Sequence, residues 1–513
     1  MSADPEVVVI GAGPNGLVAA CVLARAGLKV LVVEAHPTRP GGALASEAAT
    51  LPGFVHDVGA AFFPFAQISP AFRSLALGEH GLRWTFAPID SAHPAPDGSI
   101  AVLARDLDRM QACFGSPRDG AKIRRIAEWH AKIEPHLLPA MLETFPAIGP
   151  ALHLLPFAIV RLAATFLRSG NGLARSWFHS EAARRVIPGL ALHTDVGPDD
   201  TFGAGIGYML AVMATTGGYG VPEGGAGAIT AALIRMLEAH GGRVRCNSRV
   251  AKIEVRERRA VAVVLADGTS IRASKAIVSD TSAPSLLLDL IEAHHLPGRI
   301  VRKMRSFAQG WGTFKVDWAL DGPVPWTCAE AREAAVVHAG DSLEDLSLFT
   351  AQVRGGQLPS NPYLVIGQQS VSDPTRAPAG QHALWAYSRV PNGAPEGQTW
   401  ADVQEKFADA IDERIEGLAP GFRSRVLARR SVSPSDLERM DANLIGGDLG
   451  GGSNAWHRLL LFRPVFPWFR HRMPVRGLYL GSSYAHPGAG VHGMCGYNAA
   501  RIALRDITRA GAG

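Results

Sequence analysis

Residues 7–35 read "VVVIGAGPNGLVAACVLARAGLKVLVVEA". The run Val7–Ile10 has strand length, and Gly11, Gly13 and Gly16 follow it in GxGxxG spacing. A helical pattern then carries Leu17, Ala20, Leu23 and Ala24 to Gly27, and "LKVLVVEA" supplies a second strand ending in Glu34, 23 residues after Gly11. Gly11 makes the tight turn, Gly13 admits a pyrophosphate to the backbone, and Gly16 lets the helix lie close to the strand. The helix N-terminus attracts phosphate charge, and the Glu34 carboxylate accepts hydrogen bonds from an unphosphorylated ribose. With strand, turn, helix, second strand and acidic residue all in order, the stretch binds an adenine dinucleotide.

Working outward, "AHPTRPGGALASEAATLPGFVHDVGAAFF" places a glycine doublet, Gly41-Gly42, soon after the acidic residue. An NAD domain would continue its βαβ winding there. A bare pair of glycines instead lets the chain run along the dinucleotide toward its reactive end. On these residues the sequence resembles the phytoene desaturase-like (phytoene dehydrogenase-related) branch of the FAD-dependent amine oxidase and desaturase superfamily. The resemblance implies an α/β protein with a glutathione-reductase-like Rossmann FAD-binding domain, an inserted α+β substrate domain, and FAD as cofactor. Its implied FAD contacts at this end are Gly11, Gly13, Pro14, Asn15, Gly16, Glu34, Ala35, Gly41, Gly42 and Ala43. Arg39 is the counterpart of the family's arginine between acid and doublet, at a different spacing.

The middle of the chain repeats no such loop. At 222–225 a Pro-x-Gly-Gly turn opens an amphipathic helix with Ile229, Leu233, Met236 and Leu237 on one face, but no apolar strand precedes it. "VAKIEVRER", "AVAVVLADGTSIRA" and "KAIVSD" follow as an antiparallel meander feeding a last apolar strand. The resemblance makes Val250 the residue whose backbone meets the adenine. The expected FAD-binding domain is therefore discontinuous, over 1–75, 217–285 and 471–513. The expected substrate domain takes 76–216, rich in helix, and 286–470. The latter holds strand-like runs "GTFKVDWAL", "YLVIGQQS" and "HALWAYSRV" and a helix from Trp400 to Leu418, read as an antiparallel sheet covered by helices.

The stretch 478–500, "LYLGSSYAHPGAGVHGMCGYNAA", is a short strand, a glycine-rich loop and a helix from about Tyr497 that turns Ile502 and Ile507 inward. It resembles the family's closing FAD motif, which implies Gly481 and Ser482 at the pyrophosphate and Gly488, Gly490 and Val491 at the flavin. His486 and His492 are the candidate catalytic bases and Tyr497 a candidate donor. The histidines His457, His471, His486 and His492 show no ligand spacing, so no metal site is expected. Upstream, Gly446-Gly447 and Arg463-Pro464 fit the order of the same branch.

Composition bounds the rest. With 513 residues, 47% hydrophobic and 19% charged, the chain supports more than one compact unit around a large core. A formal charge of +5 is thin over that length and is no nucleic-acid footprint. Five scattered cysteines without CxxC exclude a disulfide scaffold and a zinc knuckle. No secretory leader is visible, and a cytoplasmic location is expected. Two apolar stretches hold two readings each. Residues 137–160, broken by four prolines, read as short buried helices or as an apolar lid that touches membrane. Residues 456–476, "WHRLLLFRPVFPWFRHRMPVR", read as a buried aromatic wall over the cofactor or as a membrane-contacting patch.

The expected function is FAD-dependent desaturation or dehydrogenation of C–C bonds in a small apolar substrate of isoprenoid or carotenoid type. The rivals are an amine oxidase, a redox-neutral double-bond isomerase or hydratase, and a flavin-bound interaction protein of low turnover. The lack of a second nucleotide motif points to O2 or a quinone as electron acceptor. Peripheral membrane contact and homo-oligomerisation stay open.

Overall fold

The computed structural model describes residues 4–65 and 67–511. Of the expected ranges 1–75 and 471–513, residues 1–3, 66, 512 and 513 lie outside that description.

Val7–Ile10 has four apolar side chains in a row, and all four are buried. That pattern suits a central parallel strand covered on both faces. It stands in the middle of a five-stranded parallel sheet ordered Leu478–Leu480, Ala276–Ser279, Val7–Ile10, Val30–Val33 and Arg243–Arg245. Alternation then assigns the faces. Val7, Val9, Val30, Val32 and Val278 pack with the helices Pro14–Arg25, Gly227–Ala239 and Met494–Gly511. Val8, Ile10, Val33, Ile277 and Leu480 pack under the antiparallel meander Val250–Arg256, Arg259–Leu265 and Ser270–Arg272. The last helix begins at Met494, three residues before the position read from sequence.

A second sheet has seven strands, ordered Val426–Val432, Gly312–Leu320, His382–Val390, Leu364–Gly367, Ala334–Ala339, Ile89–Pro94 and Ile100–Leu103. It differs from the sequence reading in two respects. The segment expected to be helix-rich contributes two of its strands, and one pair, Ala334–Ala339 with Ile89–Pro94, is parallel. On one face Phe314, Val316, Trp318, Leu384 and Ile366 meet the helix Trp400–Leu418. This helix starts on a Thr399/Asp402 capping box and turns Val403, Phe407, Ile411 and Ile415 to the sheet. Burying one such side chain contributes about 1.5–3 kcal/mol. The alternate residues Thr313, Lys315, Val365, Trp385, Tyr387 and Arg389 face the other way, into a cleft between the two sheets.

The two ambiguous stretches are resolved by exposure. Pro135 and Pro139 lie inside the long helix Pro117–Leu142, which ends before Glu143. Beyond it, the short helix Ile148–Leu152 buries no residue, and Phe157–Phe166 buries only Leu162 and Thr165. Phe157 is 86% exposed, Val160 67% and Leu167 66%. Nor is 456–476 a buried wall, since Trp456, Phe462 and Phe466 are all more than half exposed. Each stretch is mixed: Leu138 and Leu154 of the first and Val465, Met473 and Val475 of the second still pack into the core. No helix among the described residues is long and apolar enough to cross a membrane.

Candidate active site

The cleft begins where the central strand ends. Gly11 takes a φ of +93° and its N–H donates to Val33 O at 2.8 Å, which turns the chain into the helix Pro14–Arg25. A Cβ on Gly16 would lie 2.2 Å from Gly11 O, so only glycine lets the helix start this close. The helix's first N–H groups lack intrahelical partners, and Gly16 N–H donates to Asp280 Oδ2 at 2.8 Å. At the end of the neighbouring strand, Glu34 is held by two backbone donors: Ala12 N–H to Oε2 at 2.7 Å and His36 N–H to Oε1 at 2.8 Å. Ser248 N–H donates to Glu34 O, which brings Arg249 and Val250 to the same wall. Gly41 N–H donates to Ala12 O and ties the doublet to the first loop.

Among the residues singled out from sequence, Gly11, Gly13, Pro14, Asn15, Glu34, Ala35, Gly42, Ala43, Val250, Ser482, Gly490, Val491, His486 and His492 line the cleft. Gly16, Gly41, Gly481, Gly488 and Tyr497 do not. Gly41 sits behind the wall, where a Cβ would press on Thr230. Gly481 N–H donates to Ser279 O beneath the cleft, and Gly488 backs onto the Arg463 guanidinium. Tyr497 lies on the last helix under Arg501, one turn further on, and does not line the cleft. Arg39 lines the cleft but is paired with Glu47 at 2.6 Å.

The two histidines differ. His486 Nε2 is bonded to Glu143 O at 3.0 Å, and burial with nearby His471 pushes the ring down to about 3. His492 Nδ1 accepts Met494 N–H at 3.0 Å, so Nε2 carries the proton of the neutral ring. That Nε2 is buried with no protein partner, and burial holds the ring down to about 4. His492 is thus a neutral donor facing the cleft, not a base.

Sequence reasoning missed several groups. Asp280 follows the strand Ala276–Ser279, at the carboxyl edge of the parallel sheet where ligands gather, and that position was its available signal. Burial, with the Asp441 and Glu34 carboxylates nearby, pushes it well above the usual carboxyl range against the Gly16 N–H. Arg463, singled out from sequence only for its order in the branch and not for a role, is fully enclosed and donates to Ser483 O, Gly450 O, Gly451 O and Ser453 O, fixing the loops beside the cleft. Gly496 is the tightest contact: a Cβ there would lie 1.8 Å from Asn15 O. In the sequence reading Gly496 falls in the glycine-rich run before the helix expected from about Tyr497, so no helical period marks it.

Past the cradle the cleft widens into a chamber. Its floor is Val336, Val365, Trp385, Tyr387 and Arg389, and its roof is Phe166, Ile206, Met209 and Leu210. His193, Tyr387 and Arg389, with Thr313 and Lys315 beside them, put polar atoms among these apolar walls, and no local motif announces His193 or Tyr387.

Residues 9–76 match the NAD(P)-binding Rossmann-like domain family. Over 98% of its length the chain is 30% identical to pyridine nucleotide-disulfide oxidoreductase domain-containing protein 2 of Rattus norvegicus, covering 94% of that protein. The chain belongs to that family. It is thereby a phytoene desaturase-like member of the FAD-dependent oxidoreductases. It is also 26% identical over 96% of its length to the neurosporene-forming phytoene desaturase of Cereibacter sphaeroides, covering 92% of that enzyme. An oxidoreductase structure from Methanosarcina mazei shares the fold of this family member with a TM-score of 0.66 and 18% identity, covering 97% of this chain and 99% of that one.

Proposed function

We propose that this family member holds FAD in the cleft and dehydrogenates a C–C unit of an apolar substrate of isoprenoid type. One observation carries the reading: cradle and apolar chamber form a single cleft of about 1510 Å³. That exceeds the roughly 300–1,000 Å³ of a pocket for one drug-sized ligand, leaving room for a cofactor and a substrate together.

The residues fit the cofactor. A Cβ on Gly13 would fall 2.6 Å from Asp280 Oδ2, so the turn keeps its backbone bare at the mouth of the helix. Glu34 would take the ribose hydroxyls, the N-terminus of Pro14–Arg25 the pyrophosphate, and His492 Nε2–H a polar atom of the ring system. When bound, FAD supplies a hydride acceptor. The chain's own residues orient the substrate between the chamber's floor and roof, and their apolar side chains exclude water. An amine oxidase reading is less favoured. Trp385 and Tyr387 stack on each other with centroids 5.4 Å apart at 27°, so each ring gives part of one face to its neighbour and not to a cation.

Peripheral membrane contact belongs to the same proposal. Leu167 and Trp456, 66% and 60% exposed, also line the cleft, so the bare apolar patch reaches its mouth. An apolar substrate and a quinone acceptor would both be delivered there; O2 is the other acceptor the proposal admits.

The test is spectroscopic. Purified protein is expected to carry flavin absorbance released as FAD, and colourless protein that cannot be reconstituted overturns the proposal. Anaerobic mixing with carotenoid, monoterpene, retinoid, fatty-acid and amine panels is expected to bleach the flavin with an isoprenoid. Bleaching by amines alone counts against it.

A further inference from the structure

Leading away from the chamber is a file of polar groups that hydride transfer does not use. The Tyr387 hydroxyl, at the chamber wall, lies 3.0 Å from His193 Nδ1. His193 Nε2 lies 2.8 Å from His338 Nε2. His338 Nδ1 lies 2.9 Å from Ser91 Oγ, and Ser91 Oγ lies 3.0 Å from His93 Nε2. His338, Ser91 and His93 are buried on the adjacent strands Ala334–Ala339 and Ile89–Pro94, while Tyr387 and His193 keep surface toward the chamber. Arg389 donates to His193 O and to Thr313 Oγ1, holding the first ring in line.

The three rings are neutral. Burial pushes His193 and His93 down to about 3 and His338 well below its ordinary value, helped by Arg389, Arg185 and the neighbouring rings. A neutral imidazole holds one proton, so the nitrogen–nitrogen contact between His193 and His338 needs one donor and one acceptor. That requirement aligns the whole file. Tyr387 O–H donates to His193, His193 Nε2–H to His338, His338 Nδ1–H to Ser91, and Ser91 O–H to His93 Nε2. His93 Nδ1–H is left with no protein partner among the described residues. Reversing every bond gives a second arrangement, in which His193 Nδ1–H donates to the Tyr387 oxygen. The two interconvert when one proton enters at the Tyr387 oxygen and another leaves His93 Nδ1.

We propose that Tyr387 is the acid–base residue of the chamber, and that His193, His338, Ser91 and His93 conduct its proton out of the chamber. The proposal rests on the dehydrogenase reading for its substrate. One C–H bond breaks with its hydride going to the flavin, and the C–H bond on the adjacent carbon breaks with its proton going to the Tyr387 oxygen. The electron pair left on that carbon closes the C=C bond. The proton already on Tyr387 moves to His193, each later proton shifts one place, and one departs to water from His93. His338, Ser91 and His93 are positioning residues that act through Tyr387 and His193.

Conduction is tested without a substrate. In full-length protein labelled with 15N-histidine, deuterium uptake is followed at the His338 ring N–H. A proton can enter the file only as another leaves, so Ser91→Ala and His93→Gln are each expected to slow uptake about 10-fold or more, and Ser91→Thr to restore it. A static hydrogen-bonded cluster exchanges by opening, which lost packing speeds. Unchanged or faster uptake in both variants overturns the proposal. FAD content measured on the same samples separates this result from failure of the dehydrogenase reading. Should Ser91→Ala not fold, His93→Gln decides.

Discussion

The two ends of the cleft are built from different material. The cradle is backbone: Gly11, Gly13 and Gly42, helix N–H groups, and one carboxylate held by two amides. The chamber is side chain: Trp385, Tyr387, His193 and Phe166 arrive from strands and helices far apart in sequence. A backbone site tolerates almost no added atoms, because a Cβ has nowhere to go. A side-chain site tolerates change in shape and loses chemistry instead. The first end should therefore fail by losing cofactor or fold, and the second by losing rate.

The sharpest way to break this contrast is Gly496→Ala. Its Cβ would meet Asn15 O at 1.8 Å, and the overpacking should cost about 3 kcal/mol or more. Thermal unfolding and flavin content should both collapse; a yellow protein of unchanged Tm would show that the cradle yields. At the other end, Tyr387→Phe should keep the flavin yet slow substrate bleaching by about 10²-fold, the scale of general acid–base catalysis. Rapid-mixing spectroscopy reads that rate. Glu34→Ala removes a charged acceptor and should weaken FAD by about 10- to 100-fold in equilibrium dialysis, as expected for hydrogen bonds worth about 1.5–3 kcal/mol. Phe157→Glu should reduce flotation with lipid vesicles by about 10-fold, the cost of withholding one phenyl group from an apolar phase, with flavin content untouched.

The smallest effect concerns pH. Asp280 is raised by burial and by Asp441 and Glu34. Above about pH 4, where an unfolded aspartate has ionised, the folded chain still holds this proton. Apoprotein stability should then fall as pH rises through that window, until Asp280 ionises in the native state as well. Asp280→Asn should flatten the fall in denaturant titrations, and an unchanged slope would assign it to Asp441 or Asp448.

The same contrast explains what the sequence disclosed. Gly11, Gly13, Glu34 and the strand Leu478–Leu480 were legible because a cradle of backbone needs short, local, glycine-marked patterns. The strands Gly312–Leu320 and His382–Val390 and the helix Trp400–Leu418 were legible from period alone. The Tyr387–His193 contact was not, because 194 positions separate its partners and neither stands in a motif. Nor was the sheet membership of Ile89–Pro94, whose polar Asp90, Ser91 and His93 hide a strand buried on both faces. Exposure of Phe157 and Trp456 was equally hidden. An apolar run looks the same whether it meets a core or open solvent.

The contact between Gly496 and Asn15 also has a consequence in time. The glycine turn at the head of the cleft leaves the ribosome roughly 480 residues before the helix that seals it. At about 5–20 residues per second that is a wait of roughly 25–100 s. Through that interval the glycine loop stands without its closing strand and helix. During synthesis the two sides of this contact therefore cannot meet until the closing helix has emerged.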